Sequence, residues 1–300
     1  IVNHINNIKN IEKEMVAFLS LAIQQPIKDS NLINHPIRFA EASKSLIGLN
    51  LKKPNLNILN FINTFKLESK NDKKEVSQSI FETVSIYQLE DSILNGSTHD
   101  IPKILDSLLQ LSDGRHILEF LIEISLGKSE KSLILIWAIY KSMNFIGYND
   151  RYIVKNALEV ASEALVVDDN KLPFSKETID LKEIDFQLIH SVRDLHVLGV
   201  IYEIYNFDFI RKDLIQNKLS NFIGFFYQKI KDIETKNHKS NSGIFIDIKS
   251  YDILDAINNA SITPDTLLSF NAIRILKRNP AHNCARDIGP LLQFLQGEEH

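Results

Sequence analysis

The sequence predicts an all-α protein, a multi-helical bundle of duplicated helix pairs with about 11–13 helices. Three observations carry that reading. Apolar residues recur at periods near 3.6 along most of the chain, and strict alternation is nearly absent. Gly and Pro are scarce, 10 and 8 in 300 residues, as in a helix-rich globular chain. One design also recurs, a polar residue opening a helix with an arginine three positions on: His35-Pro-Ile-Arg38, His190-Ser-Val-Arg193 and, more loosely, Asn271-Ala-Ile-Arg274. Matched helix pairs can stack and bury faces that neither could bury alone.

In chain order the periodicity places helices at about 4–25, 36–49, 55–68, 73–95, 100–112, 115–127, 131–146, 150–166, 182–206, 209–235, 250–260 and 264–278, with boundaries good to about 2–4 residues. Pro36, Pro102 and Pro264 sit where a first helical turn accepts a proline, with Asp100 and Thr263 as capping candidates, while Gly96, Gly114, Gly127 and Gly147 mark helix ends. The segment 131–146 is apolar nearly all round, from Leu133 through Trp137 to Met143 and Phe145, so other helices must surround it. Segment 240–248 is β-prone but short and isolated, and reads as a loop. Residues after Pro280 read as a tail. Of two polar interruptions, 69–74 and 167–182, the second is the better boundary. The reading is a single helical domain, 1–300, with pseudo-equivalent halves at about 1–166 and 182–300.

Composition narrows the function classes. A chain 44% hydrophobic and 24% charged is a globular composition, and a net charge of −4 lacks the positive field that neutralises phosphates, which argues against nucleic acid. The longest apolar run, 133–140, is too short to span a bilayer, so no membrane insertion is expected. The one cysteine, Cys284, can form no intramolecular disulfide and fits a reducing compartment; a cytoplasmic location is the expectation. The chain opens at Ile1 without a methionine, which leaves a removed signal or an upstream domain open.

The candidate chemistry gathers at the His-led helices. His190 and Asp194, four residues apart on a predicted helix, would place an imidazole beside a carboxylate that fixes its tautomer, and His35 opens the matching helix. An arginine can hold an oxyanion or a carboxylate, so Arg38, Arg193 and the central Trp137 form the substrate-binding set, with His190, Asp194 and His35 as the catalytic one. The bland alternative stands beside it: a histidine before a helix-opening proline also serves as a cap or a satisfied core residue, and an i, i+4 His/Asp pair is an ordinary stabilising pair. The residues alone assign no cofactor. Two histidines and a carboxylate are a metal option, but without an HExxH or paired ExxH motif a metal is not favoured. Asp113-Gly-Arg-His116 reads as a solvated helix-to-helix turn. No Gly-rich phosphate loop, Rossmann fingerprint or Gly-x-Ser-x-Gly elbow occurs.

The stretch Leu89-Glu-Asp-Ser-Ile-Leu-Asn-Gly96, followed by Ile104-Leu-Asp-Ser-Leu-Leu109, by Ile117 to Leu126 and by the helix at 133–147, resembles the repeat unit of questin oxidase-like proteins and of helical regions joined to some Rieske-type proteins. The His-led helices at His35 and His190 resemble theirs, over about residues 15–235. Where that pattern would place a further histidine, at the start of the central helix, this chain has Leu133 and Ile134. The resemblance implies an oxidoreductase acting on a small organic, polycyclic aromatic substrate with NADPH. Two expectations follow: an enzyme whose ligand cavity lies between the halves, or a non-catalytic helical-repeat scaffold that binds a partner protein or ligand. The first requires His35 and His190 to converge on one cavity. The second has them hydrogen-bonded into the core.

Overall fold

The computed structural model describes residues 2–28, 30–67, 84–173, 179, 181, 184, 191–236, 245–246, 252–278 and 285–286. Twelve helices run through them: α1 Val2–Ile23, α2 Pro36–Ile47, α3 Leu56–Thr64, α4 Ile86–Leu94, α5 Ile101–Leu108, α6 Arg115–Ser125, α7 Glu130–Ile146, α8 Arg151–Val167, α9 Val192–Tyr205, α10 Lys212–Lys236, α11 Ile253–Asn259 and α12 Pro264–Lys277. The fold is all-α. Two short strands, β1 Phe245–Ile246 and β2 Ala285–Arg286, pair antiparallel, Phe245 opposite Arg286. That ladder corrects the loop reading at Phe245–Ile246 and the tail reading at Ala285–Arg286, because β-prone residues too few for a sheet still find one partner strand; the other residues of 240–248 and those after Arg286 lie outside the described residues.

Helix starts follow local chemistry. Asn55, Asp150, Asp252 and Thr263 each offer a side-chain oxygen to the first free amides of α3, α8, α11 and α12, satisfying donors with no intrahelical partner. Ser85 and Gln88 form the start of α4, the Gln88 side chain accepting from the Ser85 amide at 2.8 Å. Asp100 stands at the start of α5 but makes no side-chain cap bond.

The chain divides into two compact units. The first comprises 1–41, 66–171 and 209–215; the second comprises 42–65, 172–208 and 216–300. The division falls inside the polar stretch 167–182, yet 42–65 and 209–215 belong each to the unit of the other stretch of chain, so the units are not two successive halves.

In the first unit α6, α7 and α8 pack on one another, with α1 against α7 and α8 and the pair α4 and α5 against α8. The all-round apolar pattern of α7 is realised: Leu133, Leu135, Ile136, Trp137, Ile139, Tyr140 and Met143 are buried. Phe145, in the last turn, departs from it and is 40% exposed. The start of α7 is tied to the end of α8. Asp168 accepts from the Ser129 hydroxyl at 2.6 Å, from the Ser129 amide at 3.2 Å and from Asn170 at 3.0 Å, and the Lys128 ammonium donates to the Asp168 carbonyl at 2.9 Å. Burial pushes the Asp168 carboxyl upward, but these hydroxyl and amide donors outweigh it and hold it below the usual range.

In the second unit α9 and α12 form the principal packed pair. The two helices meet closely at Gly199, where a Cβ would lie in van der Waals contact, 3.4 Å from Ala272 Cα. α9 begins at Val192, capped by Ser191, and not at 182 as the periodicity suggests. Asn271 corrects the third repeat: it lies within α12, not at a helix start, and its side chain holds Arg274 at 2.8 Å while Arg274 reaches Glu203 of α9 at 3.1 Å.

Two glycines allow a controlled test of backbone freedom against packing. Gly114, at φ +94°, opens α6, and a Cβ there would stand 2.4 Å from Val154 Cγ1; Gly96, at φ +70°, has nothing within 4 Å. Gly114→Ala is expected to cost about 2–5 kcal/mol, the sum of left-handed strain and overpacking, and Gly96→Ala about 1 kcal/mol. Urea denaturation of both variants measures the difference, and equal losses would refute the packing assignment at Val154.

Candidate functional site

His35 stands at the N-terminal edge of α2, where Pro36 occupies the first helical position and the ring reaches back toward the turn after α1. Its Nε2 lies 3.0 Å from the Gln25 carbonyl, and its Nδ1 accepts the Ile37 amide at 3.3 Å. A carbonyl demands a donor and an amide demands an acceptor, so the partners fix the neutral tautomer with the proton on Nε2. The residue is 3% exposed. Burial lowers its pKa to about 4; the Gln25 bond opposes that shift and the Arg38 charge adds to it. Arg38, also buried, donates from Nη1 to the Ile33 carbonyl, bracing the same turn. Glu41, one turn on, pairs with Lys141 of α7 at 2.8 Å. His35 and Arg38 thus lock the start of α2 in place.

Trp137 lies in the α7 core, 2% exposed. Its ring stacks on Tyr140 at 5.6 Å between centroids and meets Phe209 at 5.9 Å. Asp194 and Arg193 belong to the second unit, in the first turn of α9. Asp194 accepts the Ser191 hydroxyl at 2.6 Å while its own amide donates to that oxygen at 3.0 Å, a reciprocal cap of the helix start, and Lys229 of α10 lies 3.4 Å away. The continuous helix that was to carry His190 and Asp194 on one face is therefore replaced by a helix that starts at Val192; His190 itself lies outside the described residues. Two residues that the sequence reading passed over meet in the same unit, His196 with Nε2 3.4 Å from the Ser269 hydroxyl.

A buried polar cluster centres on Glu119, which the sequence reading did not single out. Glu119 is 0% exposed in the middle of α6. Its Oε1 accepts the Tyr140 hydroxyl at 2.9 Å and Arg115 Nε at 3.3 Å; its Oε2 accepts the backbone amides of Ile210 at 2.9 Å and Arg211 at 3.2 Å. Four donors fill the four lone-pair positions of one carboxylate, which is how a buried charge is tolerated. One turn along, Glu123 takes both Arg211 Nε at 3.0 Å and Nη2 at 2.7 Å, while the Arg211 guanidinium lies 5.2 Å over the Phe120 ring. Phe209, Ile210 and Arg211 are thereby clamped onto α6 and α7. Burial drives the Tyr140 hydroxyl up to about 12, so it stays protonated and donating across the neutral range. The signal in the sequence was the pair Glu119 and Glu123 inside the apolar run 117–126, where a carboxylate four residues from another has no solvent to face.

Among the described residues no three His, Cys, Asp or Glu side chains gather as a metal site requires, and no helix is long and apolar enough to cross a membrane. Fold and cluster together define an all-α protein whose buried charges mainly bind one helix to another. No family model, curated protein or solved structure matches the chain.

Two measurements test these assignments. Between the unfolded value near 6.5 and the folded value of about 4, the unfolded chain binds a proton at His35 that the folded chain does not, so stability is full above pH 6.5 and falls as pH drops toward 4. Wild type should lose up to about 3 kcal/mol relative to His35→Gln across that window; parallel pH curves would refute the buried neutral ring. Trp137 is the single tryptophan, so its emission reports the clamp. Glu119→Ala should lower the urea midpoint by the equivalent of about 3–5 kcal/mol and shift that emission to the red, and an unmoved spectrum would show that the clamp does not hold Phe209.

Proposed function

We propose that this chain works as a non-catalytic helical scaffold that binds a protein partner. The observation that supports this reading is the use of His35: both ring nitrogens are engaged by backbone groups at the start of α2, leaving neither to take a proton from a substrate at neutral pH. The other assigned groups are spent similarly. Trp137 is packed between aromatic rings, and Asp194 caps α9. The Glu119 clamp meanwhile holds a stretch that carries Ile210 and Leu214, 55% and 50% exposed and one turn apart, on the surface of the first unit. A rigidly held apolar pair is the kind of anchor a partner helix uses.

The second reading is an oxidoreductase resembling the questin oxidase-like proteins, acting on a small aromatic substrate with NADPH. It is favoured by the polar cluster at the start of α9, where the buried Asp194 carboxylate lies beside Ser191 and Lys229. In that reading Asp194 orients His190, and Arg193 binds the substrate.

The two separate in one pair of assays. NADPH consumption is followed with a panel of hydroxylated anthraquinones for wild type, His190→Ala and Asp194→Asn; in parallel, proteins cross-linked to wild type in its native cell are compared with those cross-linked to Ile210→Asp/Leu214→Asp. The scaffold reading expects no NADPH consumption and a defined cross-linked partner lost at least tenfold (about 1.4 kcal/mol) in the double variant. Turnover abolished by His190→Ala, with an unchanged set of cross-links, would overturn it in favour of the enzyme.

A further inference from the structure

The chain contains one Asn-Gly dipeptide, Asn95-Gly96, and the fold leaves it at the end of α4 with both residues exposed. From its setting we infer that Asn95 is a site of spontaneous backbone-assisted deamidation, a chemical modification that remakes the end of α4.

The helix ends in a Schellman cap: the Gly96 amide donates to the Ile93 carbonyl at 3.3 Å and the Ser97 amide to the Ser92 carbonyl at 2.8 Å, with Gly96 at φ +70°. The nucleophile of the reaction is the Gly96 nitrogen. Its hydrogen bond is the longer of the two in the cap, and nothing lies within 4 Å of the position a Cβ would take, so no packed group holds Gly96 from that side. The electrophile, Asn95 Cγ, is on the adjacent residue, exposed to solvent. α4 is nine residues long, too short to persist without its tertiary contacts, and its last turn, Leu94 included at 46% exposed, is the part least covered. Asn95 sits at φ −88°, ψ −3°, so the turn must open before nitrogen and carbon align. The rate therefore measures opening of this cap.

The bonds balance without any other reagent than water. The Gly96 nitrogen, having lost its proton to base, attacks Cγ; the Cγ–Nδ2 bond breaks and ammonia leaves with a proton from solvent. The resulting five-membered imide adds water at one of its two carbonyls and opens to aspartate or isoaspartate at position 95. Either product places a carboxylate at the negative end of the α4 dipole, one turn from Asp91, and the isoaspartyl form adds a methylene to the backbone inside the cap. The change is unfavourable to the helix end and is not reversed by refolding.

The test incubates the native full chain in mildly alkaline buffer, with urea-unfolded chain and Asn95→Gln beside it, and reads the 85–103 region by peptide mass spectrometry with isoaspartate detection. The expected result is conversion at Asn95 in native protein several-fold faster than at any other asparagine among the described residues, absent in Asn95→Gln, whose longer side chain would have to form a six-membered ring. Conversion in the unfolded chain alone, with Asn95 intact in native protein over the same time, would overturn the inference by showing that the cap stays closed. Equal rates at several asparagines would overturn it as well.

Discussion

A single carboxylate organises the first unit. Glu119 reaches full burial because Tyr140 from α7, Arg115 from its own helix and the amides of Ile210 and Arg211 each supply one donor. Remove any of these and a charge in a poorly polarisable interior loses part of what replaced its hydration. The aromatic contacts share the same geometry: Phe209 meets Trp137 and Tyr140 where the next two residues are hydrogen-bonded to Glu119 of α6. A segment more than eighty residues away in sequence is thereby made part of the α6–α7 core.

The rest of the first unit repeats this economy. The Asp168 tie to Ser129 and Lys128, and the Glu41 to Lys141 pair, join successive or distant helices through groups that a composition count would place at the surface. His35 belongs with them. Its ring does for the turn between α1 and α2 what an extra backbone peptide would do, offering one donor and one acceptor at fixed separation.

Helix identity was legible because it rests on local periodicity: α7 reads as central from Leu133 to Met143 alone, and Thr263-Pro264 announces the start of α12. The start of α9 was not, since 182–206 keeps an apolar rhythm through Leu188 and only the Ser191 to Asp194 hydrogen bond marks where the helix begins. The candidate site was less legible still. A histidine opening a helix has the same sequence signature whether its nitrogens face a substrate or two backbone groups, and Asn271-Ala-Ile-Arg274 matched a pattern without sharing its place in a helix. Glu119 escaped notice because its importance lies in partners at 140, 210 and 211, and no local window contains them.

The contact of Gly199 with Ala272 sets the mechanics of the second unit. A methyl group at position 199 would stand 3.4 Å from the opposing backbone, so a side chain larger than alanine at this point would push α9 away from α12. Rolling about that point preserves the contact. Rocking at that point would register as an angle between two helix axes, with the largest excursions at Ser191 and Pro264, the ends farthest from the contact.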